Sequence, residues 1–382
     1  YICNGADGED GSDGQDGGGS SALGSNGFLT IGKLFDHLAS YTLSGDGETL
    51  IIFEPENSLY ESVTIHTYNL QNNVMEPIGQ PLIIEGPSGY SYGYGTGQLN
   101  EDGTKFIHYH FSSQTLSQYQ LINNNWELQL TSSNVQVTNG GFDISEDFST
   151  IVGGGKVYDF TGTDWIQAET TGLAIGIWNT NDSYSINADG TIFLVSNSAY
   201  SNQAGAVRIF QKTNNSWSQM GDDIIGTEYL GNFGITSVLS NDGYSFVAGS
   251  RCYECIPYTG LVHMYEYVQQ SWVLKGDPIQ LEINNPVGYG WHFDITDDGQ
   301  EILTVNNFTK LNNEVAGLFS RFYYNTGSWM EAPTYYTSSL GARAAVTNGY
   351  RCEFEKSGTV VYFVNEMMQG PQTYRILVRK IE

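Results

Sequence analysis

The phrase "SVLSNDGYSFVAGS" (237–250) sets the tightest limit on what this chain can fold into. An apolar run, an Asp-Gly pair and a second apolar run make a β-hairpin, because the turn needs positive φ and these residues supply it. The same phrase returns as "YTLSGDGETLIIF" (41–53), "GQLNEDGTKFIHY" (97–109), "YSINADGTIFLVS" (184–196) and "FDITDDGQEILTV" (293–305), with looser copies at 142–154 and 352–364. Seven spaced copies mark a repeat architecture, in which each unit buries its apolar faces against its neighbours.

Each hairpin leads into a third run of strand formers, such as "GLVHMYEYV" after 237–250. In five units a fourth run then opens on a Trp, at Trp126, Trp165, Trp217, Trp272 and Trp329, and Met75 holds that slot in the first unit. The seventh unit ends at its third run, "YRILVRKIE". "FLTIGKL", from Phe28, carries Gly32 four residues on, the spacing that joins Trp217 to Gly221 and Trp272 to Gly276. It supplies the strand the last unit lacks. The expectation is an all-β fold over residues 27–382: a seven-bladed β-propeller of four-stranded blades, closed by an N-terminal strand completing the last blade.

Residues 1–26 form a separate segment. Gly stands at 5, 8, 11, 14 and 17, with Asp7, Glu9, Asp10, Asp13 and Asp16 between. A Gly at every third position is the collagen period, but the triplets are few and contain no Pro. Two readings stay open: a flexible acidic spacer, and a short collagen-like stem that makes a homotrimer through residues 5–19.

Charge narrows the partners. The chain has 15 basic and 42 acidic residues, a formal charge of −27, which repels phosphate backbones and argues against nucleic acid. No apolar run approaches the roughly eighteen residues that span a bilayer. Membrane contact is therefore expected only through a lipid anchor.

The order W-x-x-x-G-x-x-I, L-S-x-D-G, an apolar strand and G-x-V-x-x-Y-x-Y resembles FG-GAP-like repeats, most closely over 213–276 ("GNFGITSVLSNDG", "GLVHMYEY"). Such repeats build secreted and surface β-propellers, notably of marine and Bacteroidetes bacteria. The acidic G-x-x stretch behind Cys3 likewise resembles the start of surface lipoproteins from those bacteria. The resemblance implies an extracellular or cell-surface protein, in one form an outer-membrane lipoprotein, that binds or displays.

The cysteines divide into two problems. Cys252 and Cys255, in "RCYECIP", lie in a loop with no helix N-terminus to activate a thiol and no further zinc ligands nearby in sequence. A local disulfide is the favoured reading. Cys3 has two open readings, a lipid-bearing residue and a disulfide to Cys352 that ties the chain ends together.

Calcium is the one cofactor left open. Asp294 and Asp298, in Asp-x-Thr-x-Asp-Gly, come nearest to a calcium loop, whereas Asp102, Asp189 and Asp242 read as structural turns. His108 and His110 share one strand face, as a metal pair would, but with no third ligand they read as a packed pair. No G-x-S-x-G or H-E-x-x-H motif occurs.

The fourth-strand Trp residues recur with the unit and read as packing between blades. Trp178, Tyr289, Trp291, Phe233 and the Tyr90, Tyr92 and Tyr94 run lie outside that rhythm, just before first strands. First strands line a propeller's channel, so these aromatics are expected to gather at one mouth and bind a glycan or a surface protein. The competing reading makes them covers for the seams between blades. The expected function is a non-catalytic binding or scaffold propeller: an adhesin, a glycan or protein binder, or an accessory subunit of a surface complex. The rivals are a carbohydrate-active enzyme on the channel face and a structural subunit trimerised through the Gly-X-Y stem.

Overall fold

The computed structural model describes residues 29–30, 40–55, 62–70, 76–85, 96–110, 113–137, 142–168, 182–227, 230–252, 259–282, 291–311, 314–331, 335–336, 352–354, 360–367 and 374–381. At 29–30, 40, 55, 96, 182, 251–252, 259, 282, 291–292, 305–311, 314–319, 335–336 and in the strands from 352 onward the description is of the backbone alone. The fold is all-β, built from antiparallel sheets of four or five strands that follow one another along the chain.

Sequence order is sheet order. In the second sheet Thr96–Leu99, Lys105–His110, Thr115–Ile122 and Asn125–Ser132 lie side by side, each antiparallel to the last. Ser237–Leu239, Ser245–Cys252, Thr259–Val268 and Ser271–Leu274 repeat the arrangement in the fifth. Among the last strands, Cys352–Phe354, Val360–Met367 and Tyr374–Ile381 pair in order, and Leu29–Thr30 lies antiparallel to Tyr374–Ile381 with Leu29 opposite Val378.

Burial explains the composition of each strand. Second strands are covered on both faces, so Ile192–Asn197 and Thr150–Gly153 are buried throughout and read as unbroken apolar runs. Outer strands show the reverse: in Ser216–Gln219 only Trp217 is buried. The core lies in the seams between consecutive sheets. One seam joins Val207, Ile209, Leu239 and Phe246; the next joins Val247, Met264, Phe293, Ile302 and Phe322.

Among the described residues the Asp-Gly turn is one hydrogen-bond network used six times. In the fifth unit, Ser240 Oγ donates to Asp242 Oδ1 (2.6 Å), which also accepts the Tyr244 N–H (2.9 Å), and Ser240 Oγ accepts the Ser245 N–H (3.0 Å). Asn187, Asp189 and Ile192 repeat it with an amide in place of the hydroxyl. Ser44, Asn100, Ser145 and Thr296 open the other copies. In the third unit Phe148, at φ 58°, stands where the others have Gly, and the network still closes.

The repeated Trp-x-x-x-Gly phrase forms the seam itself. Trp272 Nε1 donates to the carbonyl of Met220, the residue before Gly221 in the preceding sheet (2.8 Å), and Trp329 Nε1 donates to Lys275 before Gly276 (2.7 Å). Gly276 has φ +72°, and a Cβ there would sit 3.1 Å from both Trp329 Cδ1 and Tyr324 Cε2. That turn also breaks the outer strand. Past it, Ile279–Glu282 resumes pairing with Thr259–Val268, so the fifth sheet carries five strands where the sequence suggested four. The first, fourth and sixth sheets gain a fifth strand in the same way.

Candidate functional site: the central cavity

The first strands of six successive sheets converge on one cavity of about 340 Å³. Hydroxyl and amide groups of Thr42, Gln98, Ser183, Ser185, Thr236 and Asn241 line it, together with the carboxylates of Asp143, Glu146, Asp294 and Asp297. This is the size of a small ligand site, and its walls are richer in polar groups than most.

Some wall groups stitch one sheet to the next. Thr42 Oγ1 accepts the Leu99 N–H (3.2 Å), Asp143 Oδ2 the Ile186 N–H (2.9 Å) and Ser185 Oγ the Leu239 N–H (3.0 Å). Asp143 Oδ1 accepts the N–H of Ile144 (2.9 Å), so both oxygens of this carboxylate hold backbone. First strands present N–H groups to their neighbours without a ladder between them, and a short polar side chain meets that need.

One end of the cavity is made by the second residues of the Asp-Gly turns. Backbone bonds run from turn to turn there: Asp46 N–H to Glu101 O (2.9 Å), Glu101 N–H to Glu146 O (3.3 Å), Asp147 N–H to Ala188 O (3.4 Å) and Ala188 N–H to Asn241 O (3.2 Å). Glu146 Oε1 accepts from Asn241 Nδ2 at 2.7 Å. A Cβ on Gly45 would lie 3.2 Å from the Glu146 Cδ and Oε1.

Of the expected aromatic mouth, Tyr90, Tyr92, Tyr94, Trp178 and Tyr289 lie outside the described residues. Trp291 is described by its backbone, which pairs with Asn306 at the start of a first strand. Phe233 is a correction. It is 3% exposed and packs edge-on against His263 at 5.3 Å, inside the seam between the fourth and fifth sheets. A parallel bridge to Gly205 holds it there, and a Cβ on Gly205 would come within 2.0 Å of the Phe233 carbonyl oxygen.

The two carboxylates expected as a calcium pair each accept a backbone N–H. Asp298 Oδ1 takes the Thr296 hydroxyl (2.9 Å) and the Gln300 N–H (3.0 Å), which is the turn network. Asp294 belongs to the cavity wall, its Oδ1 accepting the Ile295 N–H at 2.9 Å. Among the described residues no three His, Cys, Asp or Glu side chains gather as metal ligands. Cys3 and Cys255 lie outside the described residues, and Cys252 and Cys352 are described as strand backbone alone.

His108 and His263 are packed. His108 is 3% exposed, stacks on Phe53 at 6.2 Å and faces His110 at 6.4 Å; burial, with His110 adding to it, pushes its pKa down to about 4. His263 is partly buried, which pushes its pKa down to about 4, and it shares a 2.8 Å hydrogen bond with Ser250.

The sequence reading passed over Asp143, Glu146 and Asp297 because acidic residues are so common in this chain. A signal was present, however. The turn positions for Ser, Thr or Asn and for Asp repeat, whereas the residue between them changes from unit to unit: Gly45, Glu101, Glu146, Ala188, Asn241, Asp297.

No protein-family model matches the chain, and no curated protein is similar to it in sequence. Solved structures are similar in fold. Kuenenia stuttgartiensis hydrazine synthase aligns over 91% of this chain and 97% of its own, with a TM-score of 0.53 and 12% identity. The Cps50 (Swd1) β-propeller domain of Myceliophteria thermophila covers the same shares, at a TM-score of 0.53 and 9% identity. A Lactobacillus plantarum protein aligns over 78% of this chain and 84% of its own, at 0.51 and 13%. The chain has the fold of a β-propeller. At such identities the likeness extends to fold alone.

Proposed function

We propose that the protein is a non-catalytic binding propeller of the cell exterior, held at the surface through its acidic Gly-rich N-terminal segment. It takes a glycan or a surface protein at the cavity and the loops around its mouth. Seven sheets form the ring, and Leu29–Thr30 closes it by completing the last of them. The FG-GAP-like phrase is the repeat of that ring.

The observation that carries the reading is the cavity wall. Six first strands bring hydroxyls, amides and carboxylates to one space of about 340 Å³, the polar complement that orients a hydroxyl-rich ligand. Asp143 favours binding over acid-base chemistry, because both of its oxygens are engaged by backbone N–H groups.

A glycan array screened with the wild type and with Trp178→Ala, Trp291→Ala and Ser183→Tyr tests it. Ser183 lines the cavity, and a Tyr there fills it. The expected result is saturable binding that Ser183→Tyr reduces at least tenfold and one of the Trp variants weakens. Cleavage of an array glycan would move the protein to the carbohydrate-active class, and binding indifferent to all three changes would remove the cavity from the account.

A further inference from the structure

We propose that Glu146 is a plug on the axis of the propeller, which makes the central cavity a blind pocket open only at the end away from the Asp-Gly turns. The direction of ligand access rests on the cavity-binding reading above; the plug itself does not.

The argument is geometric. Glu146 belongs to the turn of the third unit, yet its carboxylate accepts from Asn241 in the fifth (2.7 Å). The same group lies 3.2 Å from the place a Cβ would take on Gly45, in the first. Units one, three and five are not neighbours in the ring. A side chain that meets all three crosses the space between them, which is the axis.

The surroundings are built to hold it. Backbone bonds join the turns of units one to two, two to three, three to four and four to five, so the rim that carries Glu146 is fixed at both shoulders. Gly45 is the smallest residue at this turn position among the copies, and it stands where the carboxylate needs room. Glu146 and Asn241 both line the cavity with Gly45, which puts the three on its floor. Length matters as well: Ala188, at the same turn position in unit four, is too short to reach the axis.

A ligand therefore arrives from the end where the chain passes from one sheet to the next, and its leading group meets a carboxylate held by an amide. The depth of the pocket is set by one side chain.

Crystal structures of the wild type, Glu146→Gln and Glu146→Ala test the plug without any ligand. In the wild type and Glu146→Gln, the side chain should cross the axis between Asn241 and Gly45, with no solvent passage at the turn end. In Glu146→Ala the passage should widen past about 2.8 Å, the diameter of a water, and ordered solvent should run from the cavity to bulk. Asn241→Ala keeps the test open should Glu146→Ala not fold: it should free the Glu146 carboxylate to leave the axis. A wild-type Glu146 turned outward to solvent, or a turn end still sealed in Glu146→Ala, overturns the proposal. Loss of glycan binding alone, with the plug seen in place, would instead count against the binding reading.

Discussion

Gly276→Ala tests whether the repeated Trp-x-x-x-Gly phrase is a seam or only a turn. Two costs can be separated. Gly276 lies at φ +72°, where an L-residue costs about 1–2 kcal/mol, and a stiffer unfolded chain returns about 0.5 kcal/mol. The second cost is specific to the seam. The new Cβ would stand 3.1 Å from Trp329 Cδ1 and Tyr324 Cε2, so the indole must shift by a few tenths of an ångström. That shift bends the 2.7 Å bond from Trp329 Nε1 to Lys275 O, worth about 1 kcal/mol. The control is Gly162→Ala: φ is +91° and nothing lies within 4 Å of its Cβ position. Gly162→Ala should then lose about 1 kcal/mol and Gly276→Ala about 2 kcal/mol. Urea midpoints followed by Trp fluorescence, with Trp329→Phe in both backgrounds, measure the difference. Equal losses in the two Gly variants would refute the seam argument. So would a Trp329→Phe change that adds fully to Gly276→Ala, since the two should share one interaction.

Three further outcomes follow from the same geometry. Asp189→Ala removes the acceptor of the Asn187 amide, the Thr191 N–H and the Thr191 hydroxyl, and should lower stability by about 1–2 kcal/mol in urea melts, while Asp189→Asn recovers part of it. His108 has its pKa depressed from 6.5 to about 4, so the unfolded chain binds the proton first; its contribution is whole above pH 6.5 and is lost as pH falls to about 4, roughly 3 kcal/mol in all. Wild type and His108→Leu should thus diverge between pH 7 and 4 in parallel urea titrations, and parallel curves would show that this histidine is not buried neutral. Gln269 and Gln270 form a two-residue hairpin turn at φ 50° and 66°, where the sixth unit uses Thr326-Gly327, so Gln270→Gly should raise the urea midpoint by up to about 1 kcal/mol equivalent.

The hairpins were legible because their signal is local. Ser240, Asp242 and Gly243 make their own turn, and the strands on either side carry apolar runs long enough to recognise. The fifth strands were hidden by one residue. Gly276 breaks the outer strand in chain direction, so "PIQLE" looks like a loop although Ile279–Glu282 pairs with the strand that Ser271–Leu274 already uses. Phe233 was misplaced for a different reason. Its position ahead of a first strand is readable, but the bridge that turns it inward is to Gly205, in a loop of the preceding unit. No periodicity encodes a pairing between two loops. The cavity floor was out of reach for the same reason: Gly45, Glu146 and Asn241 come from three separate sheets and meet only in the fold.

The seam also explains how the copies can drift so far and still build one fold. At the residue before the seam Gly, the fourth unit has Met220 and the fifth has Lys275, and both are buried. What Trp272 and Trp329 take at this position is a carbonyl oxygen, which every residue provides, whereas Trp126 donates to the Thr67 hydroxyl and the Nε1 atoms of Trp165 and Trp217 are buried without a hydrogen-bond partner. The side chain is free to vary so long as it finds a partner. Met220 finds apolar neighbours, among them Ile209 and Phe246 in the same cluster. Lys275 donates to the Gly299 carbonyl at 2.9 Å, in the turn of the following unit, and lies 4.9 Å over the Tyr324 ring. Burial lowers its pKa, against the pull of Glu266, Asp298 and Asp242. Tolerance of this kind has a functional consequence. A fold whose joints are backbone groups and a few fixed side chains leaves the turn centres, the cavity wall and the loops between sheets free to diverge, and those are the positions from which Glu146 and the cavity are made.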